Sequence, residues 1–165
     1  MPQILLRPVN TGDAAFIHTL MNTPALMARL HQPATTLADW EEAVALWLGD
    51  PDEKGYIVTA ADQPIGWFAV NDLLSPARIP YIKMASLLPA WQGQGIGRQV
   101  IAQLCSQLQA EGYPTVRLFT DADNLTAQRC YQRCGFRIIA TLEEPWPDGT
   151  TLLRCEMEKS LLPEN

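Results

Sequence analysis

The sequence predicts a mixed α+β domain on one sheet of about seven strands, mostly antiparallel, and three observations predict it. Three β-rich runs, Tyr56 to Ala60, Pro64 to Val70 and Ile79 to Leu88, follow one another across short breaks, which suits an antiparallel meander. Glycines at 93, 95 and 97 then lead into an amphipathic helix and a further strand, a local βαβ element. A helical N-terminal quarter precedes these runs and a pair of strands closes the chain, so the order is not a strict doubly wound alternation. With 165 residues, 47% of them apolar, the chain is expected to form one core and a single domain over residues 1–165.

In order, Ile4 to Arg7 reads as a first strand closed by Pro8. Residues 10–13 then offer caps for a helix with Phe16, Ile17, Leu20 and Met21 on one face. Pro24 and Pro33 bracket a short helix around Leu26 to Leu30, and Asp39 opens another with Trp40, Val44, Trp47 and Leu48 inward. After the meander, Val100, Ile101, Leu104, Cys105 and Leu108 recur at helical spacing up to Gly112. Val116 to Thr120 is a strand, and Asn124 to Gly135 a helix with Asn124 at its start and Gly135 as its stop. Phe136 to Leu142 and Thr151 to Met157 are expected to pair across a loop of residues 143–150.

Twelve Lys and Arg against 18 Asp and Glu give a net charge of −6, which argues against unaided binding of nucleic acid or an anionic membrane. Residues 1–8 lack the basic start and apolar core of a leader, and no apolar run approaches ~18 residues, so a cytosolic location is expected. Cys105, Cys130, Cys134 and Cys155 lack metal-ligand spacing, and the only histidines are His18 and His31. Free buried thiols and no metal are expected.

The turn from Gln92 to Gly97 carries the chemistry. Its glycines leave backbone N–H groups free at the start of a helix and let a ligand approach without Cβ obstruction, which suits a phosphate or pyrophosphate. Taken alone, they equally make a tight strand-to-helix turn. A Walker-type loop needs Gly-Lys and then Ser or Thr, whereas Gly97 is followed by Arg98 and Gln99. A dinucleotide fingerprint finds Arg98 at its third glycine; Asp121 and Asp123 lie near the place of its ribose-binding acid, but three antiparallel strands come first.

A third pattern, Q/R-x-x-G-x-G/A, is met by Gln92, Gly95 and Gly97 after the strand end Leu87 to Pro89. Asn124, Ala127, Tyr131, Gly135 and Phe136 match N-x-x-A-x-x-x-Y-x-x-x-G-F one helix and one strand later. On these two segments and the order of elements, nearly the whole chain resembles the GCN5-related N-acetyltransferase (GNAT) family. The resemblance implies that family's acyl-coenzyme A transferase fold, with helices on both faces of the sheet, and acetyl-coenzyme A as cosubstrate. It places Gln92, Gly93, Gln94, Gly95, Ile96 and Gly97 around the pyrophosphate, Arg98 at a phosphate oxygen, and the strand end from Ala85 to Leu87 beside the pantetheine arm. A bulge would splay two strands to admit that arm. The N–H near Leu87 would polarise the thioester carbonyl. Asn124 would hydrogen-bond the pantetheine or order the loop; read from the residues it is equally a helix N-cap. Tyr131 would protonate the departing thiolate, and without the motif it would read as a core aromatic.

Deprotonating the acceptor is harder, since an alkyl ammonium of pKa ~10.4 costs about 4.6 kcal/mol to neutralise at pH 7. Many relatives place a carboxylate on the strand before the turn, but residues 79–88 hold Tyr81 and Lys83 and none. Water, Asp72, His31 or a carboxylate of the last hairpin loop are the open candidates for the base. The expected partners are acetyl-coenzyme A and an amine acceptor, which the acidity allows to be cationic; that hairpin loop, with Glu143, Glu144, Trp146 and Asp148, would hold it or would simply be a solvated turn. Trp67 and Tyr81 would face the same cleft or build core. A homodimer is left open. The alternatives in function are an inactive acyl-coenzyme A sensor and a dinucleotide-binding domain.

Overall fold

A computed structural model describes residues 2–30 and 34–163. These residues build a seven-stranded sheet in the order β1-β2-β3-β4-β5-β7-β6. The strands are β1 (Ile4–Pro8), β2 (Lys54–Ala60), β3 (Gln63–Asn71), β4 (Tyr81–Leu87), β5 (Thr115–Asp121), β6 (Arg137–Pro145) and β7 (Thr151–Ser160). Only β4 and β5 run parallel; every other pair is antiparallel, and β2 to β4 form the expected meander. The α-helices are α1 (Ala14–Met21), α2 (Pro24–Leu30), α3 (Leu37–Leu48), α4 (Ile96–Ala110) and α5 (Leu125–Arg133). None of the helices is long and apolar enough to cross a membrane among the described residues.

The central strands are buried on both faces, so β2 and β3 are continuous apolar runs. Alternation sends Val58, Phe68 and Ile82 to one core with Val100, Ile101 and Leu104 of α4 and Leu118 of β5. It sends Ile57, Trp67 and Ala69 to a second core under α1 and α3, with Ile17, Leu20 and Val44. Trp67 is accordingly core, with its ring 5.9 Å from Trp40 and 5.1 Å from Trp47.

Several elements differ from the sequence expectation: β4 starts at Tyr81 and β7 runs on to Ser160, and α3 and β6 depart as follows. Helix α3 starts at Leu37, because Thr36 is its N-cap and Asp39 closes a reciprocal capping box as the third helical residue. Leu48 ends that helix pointing outward, at 50% exposure. Strand β6 continues through Glu143 and Glu144 to Pro145, so the hairpin loop is only residues 146–150. An edge strand accepts acidic residues and a proline because one row of its backbone groups needs no partner.

Gly66 of β3 lets β4 close in. A Cβ there would stand 2.6 Å from both the Ser86 carbonyl oxygen and Leu87 Cδ2. Backbone cannot swing aside as a side-chain tip can, so Gly66→Ala is expected to cost about 1–3 kcal/mol, read as a lower urea midpoint with unchanged slope.

Candidate active site

Strands β4 and β5 pair only at Tyr81 with Arg117 and Ile82 with Leu118, then part. The cause lies on the other side of β4: Ala69 pairs with Met84 but Val70 with Ile82, so Lys83 is an inserted residue, a bulge at the last parallel pair. Beyond it, Leu88 N–H donates to the Ile65 carbonyl at 2.8 Å. Antiparallel alternation then points the N–H groups of Leu87 and Ala85 away from β3, into the gap.

A cavity of about 960 Å³ passes through this gap. On the α4–α5 side it is lined by Ile101, Ala127, Cys130 and Tyr131; on the α1–α2 side by Thr23, Leu26 and Arg29. It therefore offers one ligand each face of the sheet, with β4 between them.

The glycine turn closes one end. Gly93 and Gly95 have φ of +74° and +81°, which side chains other than glycine's rarely accept. Gln99 N–H makes the first helical bond, to Gly95 O at 3.2 Å, so the N–H groups of Ile96, Gly97 and Arg98 start α4 without helical partners. A Cβ on Gly97 would meet no atom within 4 Å. The protein's own packing does not require that glycine, whereas a ligand against the turn would. Gln92 Nε2 donates to Leu87 O at 3.0 Å and Gln94 Nε2 to Ala90 O at 2.9 Å, so both amides brace the turn against the strand end.

Of the residues singled out in the sequence, Ala85, Leu87, Gln92, Gly93, Gln94, Gly95, Gly97, Arg98, Asn124 and Tyr131 all line the cavity. Ile96 does not: its side chain is 2% exposed in the core, and only its N–H is left for a ligand. Asn124 Oδ1 accepts from Ala127 N–H at 3.2 Å, which makes it the N-cap of α5 as well as a lining residue. Tyr131 sits under Cys130 with its ring 6.1 Å from Phe136. Burial, reinforced by the neighbouring Cys130 and Cys134 thiols, pushes its hydroxyl up to about 12.

Charge distinguishes the cavity from the rest of the chain. Arg29, Arg98, Arg129 and Arg133 line it, and no carboxylate does among the described residues. Arg29 is bound to Asp123 at 2.8 Å and Asp121 at 3.3 Å, while Arg98, Arg129 and Arg133 have no ion pair among the described residues. Sequence reasoning missed Arg29, Arg129 and Arg133. For the last two a signal existed, since Thr126, Arg129, Cys130 and Arg133 share one face of α5 at i, i+3, i+4 and i+7.

Other candidates lie elsewhere. Asp72 follows β3 at a backbone turn with φ of +56° and does not line the cavity. His31 is outside the described residues. Glu144 is bound to Arg154 at 3.1 Å, and Asp148 accepts from Thr150 within the hairpin turn. All four cysteines are free, and burial raises Cys105 to about 11 and pushes Cys130 and Cys134 up. No group of three or more His, Cys, Asp or Glu that could hold a metal occurs among the described residues.

Comparison with known proteins agrees with this geometry. Residues 15–136 match the model of the acetyltransferase (GNAT) family. The chain is 31% identical over 124 residues to a mycothiol acetyltransferase of Streptomyces griseus, covering 75% of this chain and 39% of that protein. It is 29% identical over 147 residues to one of Kocuria rhizophila, covering 82% and 47%. It thus spans less than half the length of the curated relatives it matches. Among solved structures, a chimera of the Vibrio cholerae spermidine N-acetyltransferase and hSSAT superposes with a TM-score of 0.87 at 25% identity, over 96% of both chains. The Vibrio cholerae enzyme in complex with CoA and spermine superposes at 0.86 with 23% identity, over 96% of both. The parted strands, the glycine turn at the head of α4 and the match over residues 15–136 lead to one assignment: the chain belongs to the GNAT acetyltransferase family.

Proposed function

We propose that this chain transfers an acetyl group from acetyl-coenzyme A to a primary amine of a small molecule or peptide by direct attack, in the cytosol. The observation that carries the reading is the cavity passing through the gap between β4 and β5, which lets thioester and amine meet from opposite faces of the sheet. Free N–H groups of the turn and α4, with Arg98, Arg129 and Arg133, suit the phosphates of coenzyme A, so a chain of net charge −6 holds a polyanion in a carboxylate-free cleft. The N–H groups of Ala85 and Leu87 are directed where a pantetheine arm would lie, and Leu87 N–H would donate to the thioester carbonyl as charge develops there. Tyr131 would hand its proton to the departing thiolate. The antiparallel meander disfavours the dinucleotide alternative. The sensor reading draws on one observation, that no carboxylate lines the cavity among the described residues.

Glu144 is already matched by Arg154, so the acidic hairpin offers less to a cation than its composition suggests. Strand β6 is an exposed edge, with Ile138 and Leu142 uncovered, and is where a homodimer would form. Thiol release from acetyl-coenzyme A over a panel of spermidine, amino acids, an aminoglycoside and a short peptide tests the function. Release that depends on one class of amine is expected. Binding of coenzyme A without release over any amine would favour the sensor.

A further inference from the structure

The amine must lose a proton before it attacks, and no carboxylate lines the cavity among the described residues. On the acceptor side of the sheet, however, register places Tyr81, Arg117, Phe119, Arg154, Glu156 and Glu158 on one face, from the paired end of β4 and β5 toward the gap. Tyr81 O–H donates to Glu156 Oε2 at 2.6 Å, and its ring lies 5.4 Å from Phe119 and nearly parallel to it. Both residues are partly exposed.

Glu156 stands apart from the carboxylates around it. Asp121 is bound by Arg29 and Arg154, Glu144 by Arg154, Glu158 by Arg117 and Arg137, and Glu53 by Lys83. Glu156 has no ion pair among the described residues, and Tyr81 is its hydrogen-bond donor. The cations nearest to it are committed elsewhere: Arg117 Nε to Glu158 at 2.8 Å, and Arg154 to Asp121 and Glu144. Its negative charge is thus left to attract an ammonium entering from the α1–α2 side.

We propose that Tyr81 and Glu156 are the proton acceptor of the transfer: the ammonium gives a proton, through a chain of water molecules along the acceptor face of β4, to the Tyr81 oxygen as the Tyr81 proton moves to Glu156. The neutral amine then forms the C–N bond, the C–S bond breaks, and the thiolate takes the proton of Tyr131. The second amine proton returns to Tyr131 through solvent, and Glu156 releases its own to water. Arg117, which also faces the Tyr81 hydroxyl, offsets charge on its oxygen while the proton passes.

This inference rests on the acetyltransferase reading, and the test separates the two. Glu156→Gln and Tyr81→Phe keep shape and ring stacking, and with the best amine of the panel each is expected to lower kcat at pH 7 about 10²-fold. The KM for acetyl-coenzyme A and the thermal shift on adding coenzyme A should stay at the wild-type value. The variants' rates should recover with rising pH, as the free amine fraction grows toward the amine's own pKa near ~10.4, and the double variant should lose little beyond either single one. Wild-type kcat in Glu156→Gln, or two losses that multiply in the double variant, would overturn the relay and leave the transferase standing. A wild-type protein that binds coenzyme A but acetylates no amine would overturn both.

Discussion

Gly97→Leu is expected to fold with an unchanged or higher melting temperature and to lose coenzyme A. The glycine sits in the first turn of α4 with an ordinary helical φ, and a Cβ there meets nothing within 4 Å. Folding therefore loses nothing, and replacing a helical glycine returns roughly 0.5–1 kcal/mol, or about 2–4 °C in a chain of this size. The space that the leucine fills is the cavity's end, over the N–H groups of the turn. Coenzyme A affinity should fall at least ~100-fold, about 2.7 kcal/mol, by calorimetry. A glycine kept only for a tight turn would show the opposite pattern, a lower melting temperature and an unchanged affinity. At Gly66, by contrast, the obstruction is the protein's own backbone.

Tyr131→Phe should lower kcat about 10²-fold with little change in the KM for acetyl-coenzyme A. The ring keeps its place against Phe136, so stability is a control rather than the readout. The sign of the pH dependence follows from burial, which favours the neutral phenol and lifts its pKa to about 12. A tyrosine of ordinary pKa near ~10 would begin to lose its proton in alkaline assay buffers. Tyr131 remains an acid there, so the wild-type rate should not fall between pH 9 and about 11. A thiolate of pKa near ~8.5 leaves unaided at pH 7 for about 2 kcal/mol, so residual activity in the variant is expected rather than none. Wild-type turnover in Tyr131→Phe would remove the acid role.

The parts legible in the sequence were those written in local spacing. The glycine turn, Asn124 and Tyr131 all lie within short motifs, and helical periodicity, β-rich runs and flanking prolines located every strand and helix described. The bulge at Lys83 was not legible, because an inserted residue has no signature until β4 is in register with β3. Arg29 lines the cavity where it pairs with Asp121 and Asp123, more than ninety positions away along the chain. These are the two acids that sequence reasoning weighed as ribose ligands. Glu156 was hidden for the same reason: nothing local to β7 marks it until Tyr81, 75 positions away, is placed against it. Glu143 and Glu144 were read as loop because acid and proline together imitate a turn, although an edge strand tolerates both.

The central claim is that the gap between β4 and β5 is a coenzyme A thioester site open to an amine from the far face. Calorimetric titration of acetyl-coenzyme A into the wild-type chain and into Gly97→Leu tests it most directly. One site per chain is expected, with micromolar or tighter affinity in the wild type and at least ~100-fold weaker binding in the variant. No binding to the wild type, or equal affinity in both, would contradict it.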